Sequence, residues 1–200
     1  MSNIINASTS AGLIHTADTS GTIELQSNGT TQLTVASTGA YGQLKSGTAV
    51  ASTSGTSIDF TSIPSWVKRV TVMLNAVSTN GTSNIVLQVG AGSVTTTGYV
   101  SSHLVANTTF AGSGATSTTN FVLNNVSSSG DVAYCQAVLT NISGNNWVLS
   151  SIGNAPNASG RTTWGGGGIA LGGTLDRVRI TTNNGTDTFD AGSINILYEG

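Results

Sequence analysis

Apolar residues in this chain recur at every second position and almost nowhere at helical spacing. In Arg69-Val-Thr-Val-Met-Leu-Asn-Ala-Val77, residues Val70, Val72, Leu74 and Ala76 fall at alternate positions. That spacing places side chains on one face of a β-strand. No ten-residue window repeats apolar residues at i, i+3, i+4 and i+7, and long runs are broken by Gly or by Ser/Thr clusters. Further strands are expected over 84–90, 120–126, 131–140, 145–152, 174–182 and 188–198. The Ser78-Thr-Asn-Gly-Thr-Ser83 segment reads as a hairpin loop joining the first two of these runs. About eight strands at short spacing over residues 46–200 predict an all-β fold, an antiparallel β-sandwich or jelly-roll head.

Residues 1–45 form a separate segment in this reading. Thr22-Ile-Glu-Leu-Gln26 and Thr31-Gln-Leu-Thr-Val35 flank Asn28-Gly29, a strong two-residue hairpin signal. Ile23, Leu25, Leu33 and Val35 give that hairpin one narrow apolar face. A lone hairpin is marginal in water, so the face needs cover. Three copies around an axis would bury it, making these four residues a trimer interface and the segment an anchor. Packing onto its own C-terminal domain would also bury it.

Charge narrows the function. Charged residues are only 7% of the chain, against about a quarter in ordinary soluble domains, and the net charge is −2. Six Lys and Arg spread along 200 residues cannot neutralise a nucleic-acid backbone, so no nucleic-acid partner is expected. No window approaches a membrane span. The opening Met-Ser-Asn-Ile-Ile-Asn has neither a basic nor an apolar stretch, so no secretory signal is expected. Low charge with abundant Thr and Val suits β-structure and tight subunit association, where charge would have to be desolvated. The single cysteine, Cys135, shares an alternating face with Ala133, Ala137 and Leu139 and reads as a buried small hydrophobe.

Three segments resemble known phage proteins. Residues 22–35 resemble short β-repeats near the N-termini of phage fibre proteins. Ser57-Ile-Asp-Phe-Thr-Ser-Ile-Pro-Ser-Trp-Val-Lys-Arg-Val-Thr-Val72 resembles the opening strand of a domain in phage and prophage tail-fibre-like proteins. Asp176-Arg-Val-Arg-Ile-Thr-Thr182 and Gly185 to Tyr198 are similar to the closing strands of that domain. The resemblance implies a virion protein, usually trimeric, partnered by capsid, portal, tail-adaptor or tail proteins, and it names no catalytic residues. The expected function is structural: a homotrimeric short fibre or spike on a tailed bacteriophage, as a tail fibre or as a head fibre or capsid decoration protein. It would be assembled in the host cytoplasm and located on the virion. The alternative is a carbohydrate-recognising receptor-binding protein for host adsorption.

Candidate sites are few, and neither a cofactor nor a metal is expected. Asp187 and Asp190 flank Phe189 and could pair as an acidic dyad, but they stand beside Gly185 and Gly192 and read as turn residues. His15 and His103 are far apart, with no Cys or acidic cluster at ligand spacing. Gly165-Gly-Gly-Gly168 lacks the Lys-Ser/Thr and helix of a phosphate loop. The whole stretch Gly153 to Gly173 reads as a mobile exposed loop, and recognition often sits in such loops. Trp164, Arg161 and Tyr99 are therefore the expected contact residues for a host glycan or partner, with the Trp164 indole as stacking plate. Trp66 and Trp147 read as core.

Overall fold

The computed structural model describes residues 23–27, 29–36, 39–40, 44–109, 111–156 and 160–200. The chain divides into two compact units, Met1–Gly42 and Gln43–Gly200. Every element among the described residues is a strand, and every strand pairing is antiparallel.

In the first unit, β1 (Ile23–Ser27), β2 (Thr30–Ala36) and β3 (Gly39–Ala40) form a three-stranded sheet in that order. Ile23 lies opposite Val35 and Leu25 opposite Leu33, with a register shift after Leu25. Gly29, at φ 72°, occupies the turn that closes at Ser27 and Thr30; only glycine takes this backbone without strain. The side chains of Ile23, Leu25, Leu33 and Val35, assigned to a trimer interface above, lie outside the described residues.

The second unit begins with β4 (Leu44–Ser46) and β5 (Val50–Ala51), which both pair with the final strand, β17 (Phe189–Glu199). Leu44 and Lys45, placed in the N-terminal segment by the sequence reading, thus join the sheet of the larger unit. β7 (Arg69–Thr79) sits between β17 and β13 (Ala133–Ser143). Beyond β13 come β14 (Asn146–Ala155), β15 (Arg161–Ala170), β10 (Val100–Ala106) and the edge strand β11 (Gly112–Ser117). This sheet has nine strands. A second sheet, of five strands, runs β12 (Phe121–Asn124), β8 (Ile85–Ala91), β16 (Arg177–Thr182), β6 (Ser57–Thr61), with β9 (Ser93–Val94) paired to β8.

One continuous core draws on both sheets. Val70, Val72 and Leu74 of β7 enter it together with Ile85, Leu87 and Val89 of β8 and with Val178 and Ile180 of β16. The residues between them point the other way. Arg179, for example, forms a two-pronged pair with Asp59 directly across the ladder, at 2.7 and 2.8 Å. Cys135 is buried with Ala133, Ala137 and Leu139, its thiol 3.7 Å from the Leu123 carbonyl.

Two connections differ from the sequence expectation. Ser78–Ser83 is not a hairpin loop, because both edges of β7 are taken by β13 and β17, and the chain crosses to the other sheet to begin β8. The crossover is fixed from the far end of the chain. The Asn80 N–H donates to the Thr188 carbonyl at 3.0 Å, and the Ser83 N–H donates to the Asp187 carboxylate at 3.0 Å.

Within the stretch read as a loop from Gly153 to Gly173, residues 153–155 and Arg161–Ala170 belong to strands. The glycine run lies inside β15, paired on one side with β10 and on the other with β14. A glycine run has no alternation to read, and interior glycine ordinarily weakens a strand. Here its lack of a side chain is required. A β-carbon on Gly165 would stand 2.7 Å from the Val122 carbonyl oxygen, and one on Gly153 would stand 2.5 Å from that of Leu123. These two positions let β12 of the smaller sheet lie close over β14 and β15. The Asn125 N–H then reaches the Thr163 hydroxyl of β15 at 3.0 Å.

Candidate functional site

The three residues expected to form a contact site do not converge. Tyr99 is 1% exposed and belongs to the core, which corrects its assignment as a surface contact. Its hydroxyl donates to the Thr95 carbonyl and accepts from the Val89 N–H, both at 2.9 Å, and its ring meets Phe121 edge-on at 4.9 Å. A tyrosine just ahead of a strand is turned inward when its hydroxyl finds backbone partners there. Burial pushes its phenol up to about 12.

Arg161 and Trp164 are three residues apart on one strand, so they project from opposite faces of the sheet. Arg161 is partly buried, and its guanidinium holds the Asn125 side-chain oxygen at 2.5 Å. It braces the start of β15 against the segment that follows β12. Trp164 remains open, 43% exposed, on the outer face of the nine-stranded sheet.

Trp164 is also not isolated. Leu104 of β10 lies directly opposite it on one side and Ile152 of β14 on the other, 54% and 52% exposed. Four residues along the strands, Val100 and Val148 flank Gly168 in the same way. Between these two rows lies a row of small residues, Ser102, Gly166 and Ser150. Alternate residues on one face are about 7 Å apart along a strand. The outer face is thus an apolar ridge, a shallow trough and a second, lower ridge. Val100, 79% exposed, and Ile142 border a basin at the foot of the second ridge. Across the paired stretches of β11, β10, β15, β14 and β13, no outward position carries a charge.

Alternation alone did not disclose this face. In 145–152, Trp147 and Leu149 turn into the core, while Val148 and Ile152 occupy the opposite parity. A strand apolar at both parities is the signature of cover on both sides. That was the available signal.

The acidic residues hold the scaffold. The Asn184 amide donates to Asp187 at 2.6 Å and, with the Ser83 N–H, holds the Asp187 carboxyl below its usual range. Asp190 accepts from the Ser78 hydroxyl of β7. His103 faces Gly165 across the ladder, and burial lowers its pKa. His15 lies outside the described residues. Among the described residues no three His, Cys, Asp or Glu side chains gather at metal-binding distance. No described helix is long and apolar enough to cross a membrane. Compared with family models, with curated proteins and with solved structures, the chain matches none.

Proposed function

We propose that this chain is a non-enzymatic structural protein of a tailed-bacteriophage virion, a homotrimeric short fibre or spike. Residues 43–200 are a β-sandwich head of jelly-roll type, and the preceding hairpin segment anchors it and helps to join three copies. The observation that carries this reading is the wide, uncharged and partly apolar outer face of the nine-stranded sheet, a surface suited to assembly rather than to catalysis in solution. The resemblance of residues 22–35, 57–72 and 176–198 to phage fibre proteins supports it. The portions of the virion that fit are the tail, the head fibre and the capsid decoration.

A direct test is to purify particles from the producing host and identify their proteins by mass spectrometry, with electron microscopy of the same particles. The chain should co-purify with particles and occupy threefold density at their surface. Its absence from purified particles would overturn the proposal. Deleting residues 1–42, which spares β4, should leave a folded head that no longer incorporates. Normal incorporation of that variant would assign attachment to the head.

The open indole of Trp164 favours a second reading, a carbohydrate-recognising receptor-binding head. Its neighbours argue against it, since Leu104 and Ile152 offer a sugar no hydrogen bonds, and neither Arg161 nor Tyr99 reaches the same face. Glycan-array binding that is lost in Trp164→Ala would reverse the order of the two readings.

A further inference from the structure

Soluble monomers scatter their exposed apolar side chains, whereas here six of the nine large ones among the described residues are gathered. Leu104, Trp164, Ile152, Val100, Val148 and Ile142 all lie on the outer face of one sheet, each between 40% and 79% exposed. Large aromatic and aliphatic residues at the centre, with charge absent, are the composition of a buried interface core.

The shape and charge of the face identify what covers it. When copies of one chain meet through like surfaces, every charge on the patch encounters its own kind unless the geometry offsets it. A patch without charge across five adjacent strands avoids that repulsion, and it offers nothing to steer a charged partner of another kind. Its relief is also self-complementary. The ridge of Leu104, Trp164 and Ile152 stands beside a trough floored by Ser102, Gly166 and Ser150, so a ridge from one copy can seat in the trough of another.

We infer that the outer face of β10, β15, β14 and β13 is the surface through which the heads of two or more copies of this chain pack together, independently of the N-terminal hairpin. This rests on the homo-oligomeric part of the proposed function but not on its stoichiometry.

The test uses the full chain and sedimentation velocity over a concentration series reaching about 100 µM. The wild type should self-associate. Leu104→Lys with Ile152→Lys, two changes at positions more than half exposed in the monomer, should weaken association at least about tenfold through like-charge contact. Far-UV circular dichroism checks that this variant is folded. A milder pair, Leu104→Thr with Ile152→Thr, keeps β-forming side chains and should weaken association less. Thr61→Lys, on the smaller sheet, should leave it unchanged. A wild type that stays monomeric, or a folded lysine variant that associates like the wild type, would overturn the inference. A dimer dissolved by the lysines would keep this interface and refute the trimer. A trimer that ignores them but is lost on replacing Ile23, Leu25, Leu33 and Val35 by Ser would keep the trimer and refute this interface.

Discussion

The backbone of Leu123 rests on Gly153: a β-carbon at residue 153 would stand 2.5 Å from the Leu123 carbonyl oxygen. The contact joins the edge of the five-stranded sheet to the middle of the nine-stranded one. It occurs where backbone meets backbone, so no rotamer change relieves a larger side chain. Gly153→Ala should therefore destabilise the head by about 1–3 kcal/mol, the usual cost of overpacking. Gly172→Ala, where an added β-carbon meets nothing within 4 Å, should stay within about 0.5 kcal/mol. Denaturant midpoints of the two variants give the comparison.

Tyr99 makes a second bridge between the sheets. Tyr99→Phe keeps the ring against Phe121 but deprives the Val89 N–H of its acceptor in a buried setting. A buried donor left unpaired costs about 1–3 kcal/mol. The loss should appear in equilibrium unfolding at neutral pH with the far-UV spectrum unchanged.

Alkaline pH should unfold the head through two neutral groups. Burial raises Tyr99 from 10.0 to about 12 and Cys135 from 9.0 to about 12. The unfolded chain releases these protons first, so it gains stability relative to the folded chain as pH rises. The contribution of the two groups is fully present below pH 9 and is lost between about 9 and about 12. In Cys135→Ala the onset of this loss should move to higher pH. An unchanged onset would show that the thiol plays no part in it.

On the acid side, Asp187 behaves oppositely. Its carboxylate is held below 3.8 by the Asn184 amide and the Ser83 N–H, so its contribution is present above that value and is lost as pH falls through and below it. Asp187→Asn should be less stable than wild type at neutral pH, and the difference should shrink in acid. Thermal melts at neutral pH and at about pH 3 measure both.

Two tryptophans separate core from surface. Trp147 lies in the core, and Trp147→Ala should cost about 3–5 kcal/mol at any protein concentration. Trp164→Ala should cost about 1 kcal/mol or less in the dilute chain, where its exposed indole is only partly packed. Its cost should grow with protein concentration if copies meet on that face. Melting curves at two concentrations distinguish the residues.

The sequence by itself determined the strands that carry an alternating apolar face, β7, β13 and β16 among them, whereas β10 and β11 lie outside the expected runs. Val70, Val72 and Leu74, or Val178 and Ile180, can alternate with polar neighbours only on a pleated surface with one dry face. The inward placing of Cys135 follows from the same period, but β7 breaks it at Ala76, whose φ is 53°, so that Val77 rather than Ala76 enters the core and the strand runs on to Thr79. Tertiary structure alone decided three other matters. Ser78–Ser83 has hairpin chemistry, yet it becomes a crossover because other strands occupy both edges of β7, and partner choice is a long-range competition that a local turn signal does not encode. Residues 165–168 become a strand because β10 and β14 pair with them, while the carbonyl of Val122 excludes a side chain at Gly165. A run without side chains has no pattern to read, so its conformation is imposed entirely by its neighbours. Finally, Trp164 and Arg161 look like one site along the chain, but pleating sends them to opposite faces. What gathers around Trp164 is instead Leu104 and Ile152, brought there by strand register across two ladders.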